Sequence, residues 1–225
     1  LPCPFNLYTH RLGLNTAPCC REHMKDLCYY VVSCLRDMGA VHWLDGGNLL
    51  GAVRESAALL AWEDDVDLAV LLDGDLTWNS LVASFSKRGA QDGYYVDVFE
   101  KNGYITISYD APGSWPFRWE RNRMRGEIRL DLVAFRHEVS HGQSVLERRI
   151  PKGAMPLTES GSYGAPKETV IPTSTIQFVG GDIACPAQSD AYLRILYGEF
   201  EEIELTYVDA AAAEFRRLVD ADASA

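Results

Sequence analysis

Four acidic residues lie within five positions, directly ahead of an apolar run. They are Glu63, Asp64, Asp65 and Asp67. The apolar run predicts a buried strand over 65–72, and because side chains alternate along a strand, Asp65 and Asp67 share one face about 7 Å apart. Two carboxylates on one face repel each other unless a positive group lies between them. Mg²⁺ or Mn²⁺ would suit that place, which suggests metal-dependent phosphoryl chemistry; a solvated acidic loop ahead of a strand is the plainer alternative.

A glycine pair precedes the acids. Residues 41–45 predict a short strand, Gly46-Gly47 interrupts it, and a helix is predicted over 48–54 beginning at Asn48. Such a turn lets backbone N–H groups approach an anion closely, although a plain tight turn is the alternative. The segment matches neither a GxGxxG dinucleotide motif nor a phosphate loop ending in GK[ST], so those cofactors are disfavoured. Arg54 closes the segment and could pair with a phosphate or with Glu55.

A further acid lies in a second apolar strand, predicted over 127–135. Asp131 stands between Leu130 and Leu132. A carboxylate among apolar neighbours is costly unless it is paired or bound to a metal. Arg129 lies on the same face, so a simple ion pair is the competing explanation.

The order and spacing of these segments resemble the nucleotidyltransferase fold. Within it they are similar to the LicD family, which includes bacterial phosphocholine transferases and the fukutin and fukutin-related ribitol-phosphate transferases. The likeness rests on LDGGNLLGAVR at 44–54 and WEDDVDLAV at 62–70, and APCC at 17–20 and YLRILYG at 192–198 extend it. Glu55 and Ala61 stand where the family is expected to carry a basic residue and a proline.

The resemblance implies an α/β (α+β) fold with a mixed twisted sheet and packed helices. It implies transfer of a phosphorylated alcohol, of the phosphocholine or ribitol-phosphate type, to a glycan or glycoconjugate hydroxyl. The donor would be a CDP-alcohol or another nucleotide diphosphate. The rival interpretations are a nucleotidyltransferase acting on a small molecule and a non-catalytic scaffold relative in a glycan-modifying complex. The implied location is the Golgi or secretory-pathway lumen, with the full-length protein membrane-anchored.

The site residues follow from the same resemblance. Asp65 and Asp67 would hold Mg²⁺ or Mn²⁺, and Asp131 would complete the metal site or act as general base. The donor phosphates and the leaving group would be met by Gly46, Gly47, Asn48 and Arg54.

The cysteines divide into an N-terminal group and a helical group. Cys3, Cys19 and Cys20, with His10, are expected to form either a structural Zn²⁺ site or a disulfide, for example Cys3 with Cys19 or Cys20. Cys28 and Cys34 are predicted core thiols on a helix over 20–38. We therefore expect a cysteine-containing segment at 1–20 and a catalytic domain at 21–225.

Charge and composition bear on the partners. The 225 residues carry a net charge of −11, which disfavours nucleic acid, and no run approaches the length of a membrane span. Leu1 is not an initiator methionine, so an excised or processed domain is expected. The arginine-rich stretch 118–129 could form a basic lip for a nucleotide diphosphate or an exposed loop.

The remaining elements are predicted from periodicity and turn residues. Helices are expected over 77–88, 187–197 and 209–221, and strands over 94–100 and 104–109, joined by an Asn102-Gly103 hairpin turn. Residues 151–175 are expected to form an ordered loop. His137 and His141 are expected to be solvated residues of a polar loop.

Overall fold

A computed structural model describes residues 16, 18–61, 63, 65–109, 128–149 and 164–201. The helices in these ranges are α1 (Pro18–Asp37), α2 (Gly46–Arg54), α3 (Trp78–Asp92), α4 (Lys167–Val170) and α5 (Ser189–Tyr197). The strands are β1 (His42–Leu44), β2 (Asp65–Leu72), β3 (Tyr94–Phe99), β4 (Tyr104–Tyr109), β5 (Arg129–Ser140), β6 (Gln143–Arg148), β7 (Gly164–Pro166), β8 (Ser174–Phe178) and β9 (Gly181–Cys185).

Seven of these strands form one mixed sheet. Its main order is β1-β2-β5-β4-β3, and β6 and β7 continue it from the second half of β5. The central strands β2 and β5 run parallel, while their other neighbours are antiparallel. Strands β8 and β9 form a separate two-stranded sheet. The expected mixed α/β sheet with packed helices is confirmed.

Helix α1 covers one face of the sheet. Its apolar residues recur three and four positions apart, and each is buried; they are Met24, Leu27, Cys28, Val31, Val32 and Leu35. The Tyr109 hydroxyl donates to the His23 carbonyl at 3.0 Å, which places α1 on the face of β4 that also carries Ile105 and Ile107. Cys28 and Cys34 are buried in this core, as predicted.

The acids lie on the opposite face. At the start of β2, Val66 and Leu68 are fully buried, whereas Asp65 and Asp67 are only partly buried. On the acidic face the Trp43 and Phe135 rings pack with centroids 5.2 Å apart. Helices α2 and α5 contact each other on this side. The sheet therefore separates an apolar layer of α1 and α3 from a layer that contains the acids.

Several sequence-based boundaries need correction. Helix α2 begins at Gly46 instead of 48, so the glycine pair forms the first helical turn. Strand β5 continues past 135 to Ser140 because its second half pairs with β6, and His137 therefore lies in a strand, although it is exposed as expected.

The C-terminal part also differs from expectation. The described residues of the predicted loop 151–175 include β7, α4 and the start of β8. Helix 187–197 is confirmed as α5, while helix 209–221 lies outside the described residues. None of the described helices is long and apolar enough to cross a membrane.

The hairpin at Asn102-Gly103 is confirmed with a longer connection. Strands β3 and β4 pair along their whole length, and a 3₁₀ turn over Glu100–Asn102 joins them. Helix α3 runs beyond the predicted 88 to Asp92 because Gly93, at φ +84°, supplies the left-handed C-cap. Its start follows a capping box between Thr77 and Ser80.

Candidate active site

The register of the two central strands brings the acidic segments together. Asp67 is directly opposite Asp131, and Asp65 is directly opposite Arg129. Because paired residues on neighbouring strands project to the same side, all four side chains share one face at the start of the parallel pair. The three carboxylates proposed from the sequence thus form one cluster.

Arg129 lies within this cluster. Its Nη2 group donates to the Asp65 carboxylate, and its Nε group is 3.4 Å from the Asp131 carboxylate. The ion pair considered from the sequence is therefore present, and it extends to two acids. One guanidinium charge faces three carboxylates, so the cluster keeps an excess of negative charge.

Asp131 also has a hydroxyl partner on the neighbouring strand. Thr106 is its cross-strand partner on β4 and donates from Oγ1 at 2.7 Å. Burial raises the pKa of Asp131 above its usual value, while Arg129 and the Thr106 hydrogen bond oppose this rise. Thr106 was not predicted as a site residue, since a threonine in an alternating strand gives no signal of its own.

Asp67 lies where a charged carboxylate is unfavourable. Burial raises the pKa of Asp67 well above its usual value, and the charges of Asp65, Asp131, Asp45 and Glu63 raise it further. The carboxylate at this position therefore favours either a proton or a nearby cation.

The donor set agrees chemically with a hard divalent cation. Carboxylate oxygens with excess negative charge are the ligands that Mg²⁺ and Mn²⁺ prefer. Within the described residues, no three His, Cys, Asp or Glu side chains are arranged to hold one metal ion together. Arg129 is instead the positive group that contacts Asp65 and Asp131.

The glycine pair packs directly on the acids. A Cβ atom on Gly46 would lie 2.6 Å from Oδ2 of Asp67, and one on Gly47 would lie 2.7 Å from Oε2 of Glu63. Gly46 also has a φ of +55°, a conformation that glycine adopts without strain. The glycines are therefore needed for close approach between the first turn of α2 and the carboxylates.

Asn48 fixes the strand that carries the acids. Its buried side chain donates from Nδ2 to the Asp65 carbonyl at 3.3 Å and accepts the Asp67 N–H on Oδ1. The amide group thus holds the β2 backbone on both sides of Val66. Binding of donor phosphates by Gly46, Gly47 and Asn48 remains a prediction, and for Asn48 it concerns the backbone.

Arg54 lies at the other end of α2. Its Nε atom is 3.2 Å from the Glu55 carboxylate, which is the alternative that the sequence offered. Nine helical residues place it about 12 Å along the axis from Gly46. The structure does not bring Arg54 into the acidic cluster, and its role toward the leaving group remains a prediction.

A buried Asp–Tyr pair adjoins the cluster and was missed from the sequence. The Tyr192 hydroxyl donates to Oδ1 of Asp45 at 2.8 Å. Burial raises the pKa of Asp45, whereas hydrogen bonds from Tyr192 and the Gly46 N–H lower it. The sequence did contain one indication of this pair: Asp45 is a charged residue directly after an apolar run and directly before the glycine pair.

One of the four proposed zinc ligands has a described side chain. Cys20 is buried on α1, whereas Cys3, His10 and the side chain of Cys19 lie outside the described residues. The alternatives of zinc and disulfide, and the division at residue 20, remain predictions. Residues 118–127 of the arginine-rich stretch are also outside the described residues.

Paired carboxylates on neighbouring parallel strands, beside a helix that starts at a glycine pair, define a domain of the nucleotidyltransferase type. A comparison with family models agrees: the LicD/FKTN/FKRP nucleotidyltransferase domain matches residues 39–188. The chain belongs to this LicD/FKTN/FKRP family.

Two curated relatives are similar to the chain. Ribitol 5-phosphate transferase FKRP of Homo sapiens is 31% identical over an alignment of 160 residues that covers 66% of this chain and 30% of the relative. The protein of the same name from Mus musculus is 30% identical over 151 residues, covering 62% of this chain and 28% of the relative. The chain thus spans less than a third of the length of these relatives.

A solved structure also aligns with the domain. It is the lincomycin-bound crystal structure of lincosamide antibiotic adenylyltransferase LnuA, with a TM-score of 0.47 and 14% identity. The alignment covers 82% of this chain and 92% of that chain.

Proposed function

We propose that this domain transfers a phosphorylated alcohol, of the ribitol-phosphate or phosphocholine type, from a CDP-alcohol to a hydroxyl group of a glycan. The observation that carries the proposal is the register that places Asp67 beside Asp131, with Asp65 and Arg129 on the same face. The relatives named ribitol 5-phosphate transferase support the choice of the transferred group.

In this proposal the acceptor oxygen bonds to the phosphorus that bears the alcohol. The bond from that phosphorus to the bridging oxygen breaks, and CMP leaves. The acceptor proton passes to a carboxylate of the cluster. Asp131 suits this step because burial raises its pKa above that of an ordinary aspartate and Thr106 fixes one of its oxygens.

Asp65 and Asp67 would hold Mg²⁺ or Mn²⁺, with Asp131 as a third oxygen donor or as the base. Such an ion, when bound, would neutralise charge on the donor phosphates. Arg129 would then exchange its contacts with Asp65 and Asp131 for a donor phosphate, which a guanidinium binds well. Gly46 and Gly47 would offer backbone N–H groups to the same phosphates.

The test is thermal stability of the purified domain with Mn²⁺ against a panel of CDP-alcohols and nucleoside triphosphates. We expect a Mn²⁺-dependent rise in Tm with the cytidine donors that is lost in Asp67→Asn. The matched control is Asp75→Asn, which makes the same change at an exposed carboxylate beyond β2. A rise only with nucleoside triphosphates would favour a nucleotidyltransferase, and no rise with any nucleotide would favour a scaffold.

The Mn²⁺-dependent Tm, measured together with transfer activity, separates the two roles of Asp131. In Asp131→Asn, loss of Mn²⁺ affinity identifies a metal ligand. Retained Mn²⁺ affinity with lost turnover identifies the base.

A further inference from the structure

Helix α5 carries a hydroxyl group that reaches the acidic site from the far end of the chain. Tyr192 is 1% exposed, and Asp45, which accepts its hydroxyl hydrogen bond at 2.8 Å, is 8% exposed. The two residues are 147 positions apart in the sequence. Tyr192 opens the YLRILYG segment, to which the proposed reaction assigns no part.

Asp45 lies where three elements meet. Its N–H donates to the Asp67 carbonyl at 3.1 Å, and its carbonyl accepts the Leu49 N–H at 3.1 Å. It is thus the N-cap residue of α2 and is also hydrogen-bonded to β2. Its carboxylate accepts the N–H of the adjacent Gly46 but makes no N-cap hydrogen bond further into α2, and the Tyr192 hydroxyl of α5 donates to its Oδ1.

The close packing of the residue after Asp45 leaves the backbone of the first turn of α2 little freedom to move. The next residue, Gly46, approaches Asp67 so closely that an added Cβ would lie 2.6 Å from the carboxylate. A small rotation at Asp45 therefore changes the separation between the first turn of α2 and Asp67. Close-packed interiors transmit such shifts instead of absorbing them.

We propose that Tyr192 is a positioning residue: by holding the Asp45 carboxylate, its hydroxyl fixes the first turn of α2 against Asp67 and so couples helix α5 to the acidic site. A phenylalanine would fill the same space, so the hydroxyl is the part that acts. The effect on turnover rests on the proposed function, whereas the effect on the α2 backbone does not.

Tyr192→Phe tests the proposal by hydrogen exchange of the amides at 46–49. We expect exchange there to be about fivefold faster than in the wild type, which is the effect of losing one hydrogen bond of ordinary strength. The matched control is Tyr29→Phe, which removes a hydroxyl that donates to the Phe178 carbonyl at 2.7 Å, away from the acids. That control should leave exchange at 46–49 unchanged.

A second variant distinguishes positioning from general destabilisation. In Asp45→Asn the side-chain oxygen still accepts the Tyr192 hydroxyl, so exchange at 46–49 should stay close to the wild-type rate. Where transfer activity is measured, Tyr192→Phe should lower turnover about tenfold, because misplacement of a site reduces rate steeply. Tyr29→Phe should retain wild-type turnover.

Two results would overturn the proposal. One is unchanged exchange at 46–49 in Tyr192→Phe. The other is exchange that rises to the same extent in Tyr192→Phe and Tyr29→Phe, since the hydroxyl would then be only structural. A domain without any transfer activity would refute the proposed reaction, and the exchange measurement would still decide the role of Tyr192.

Discussion

The Asp67 carboxylate is unfavourable for the stability of the fold, although the proposed activity requires it. Burial raises the pKa of its carboxyl group, and the charges of Asp65, Asp131, Asp45 and Glu63 raise it further. Such a group destabilises the domain when it is ionised and unbound. Sites of this kind commonly sacrifice stability for function.

Asp67→Asn should therefore stabilise the domain in EDTA by about 1 kcal/mol while it abolishes turnover. The reason is that the amide removes one negative charge from the cluster without changing the side-chain volume. Urea unfolding in EDTA measures the first effect, with Asp75→Asn as the control at an exposed site. A variant less stable than the wild type in EDTA would contradict this explanation of Asp67.

Loss of the Arg129 side chain should destabilise the domain, whereas loss of the Asp67 charge should stabilise it. The reason is that Arg129 supplies positive charge between Asp65 and Asp131. Arg129→Met is expected to destabilise the cation-free domain by about 2 kcal/mol, since it removes hydrogen bonds to charged groups. Mn²⁺ should then raise Tm more in this variant than in the wild type.

The control is Arg136→Met, which removes a more exposed arginine of the same strand whose partner is Glu138 at 2.9 Å. An equal Mn²⁺ response in wild type and Arg129→Met would show that the guanidinium does not occupy the place of a cation.

For single residues, the charged groups of the site were predicted from the sequence, but the neutral residues that hydrogen-bond to them were not. Asp65, Asp67 and Asp131 stand out because charge is unusual in a buried strand. Thr106 and Tyr192 do not stand out, since a threonine in a strand and a tyrosine in a helix are ordinary. Their roles depend on strand register and on contacts between distant segments.

Among the elements, α2 has the tightest geometry. Gly46→Ala should destabilise the domain by about 3 kcal/mol, because it combines a strained φ with a Cβ that meets the Asp67 carboxylate. Gly74→Ala is the matched control, since Gly74 has nearly the same φ, +58°, and nothing within 4 Å of its Cβ. Chemical unfolding measures the loss in free energy of unfolding for each variant, and the difference between the two losses is the cost of the contact with Asp67. Equal losses in the two variants would show that this contact costs nothing.

The elements also show where sequence patterns fail. The strand over 65–72 was predicted correctly because four acids precede a continuous apolar run. The start of α2 was wrong because glycines normally interrupt helices, and here close packing on carboxylates requires them. The β5–β6 hairpin was missed at His141-Gly142, a two-residue turn in which both φ values are positive, +51° and +79°.

For the whole molecule, the core beneath the sheet should behave as one protected unit. Cys28 lies in it, and burial raises the pKa of its thiol to about 12. Because only the thiolate reacts, iodoacetamide at pH 8 should label Cys28 slowly in the folded domain and quickly in urea. Mass spectrometry of the labelled peptide gives both rates. Rapid native labelling of Cys28 would mean that α1 leaves the sheet readily.

The fold class of the molecule was predictable because the order of strands and helices agreed with the mixed α/β sheet that the resemblance to the LicD family implies. The sequence did not predict which face of the sheet carries the acids, since this depends on which side of the sheet α1 covers.

The most direct test of the proposed function is the mass of an acceptor glycan after incubation with the domain, Mn²⁺ and a CDP-alcohol. The proposal predicts a gain equal to the phosphorylated alcohol, with release of CMP, and no gain with Asp67→Asn. A gain equal to a nucleotide, or an unchanged reaction in Asp67→Asn, would contradict it.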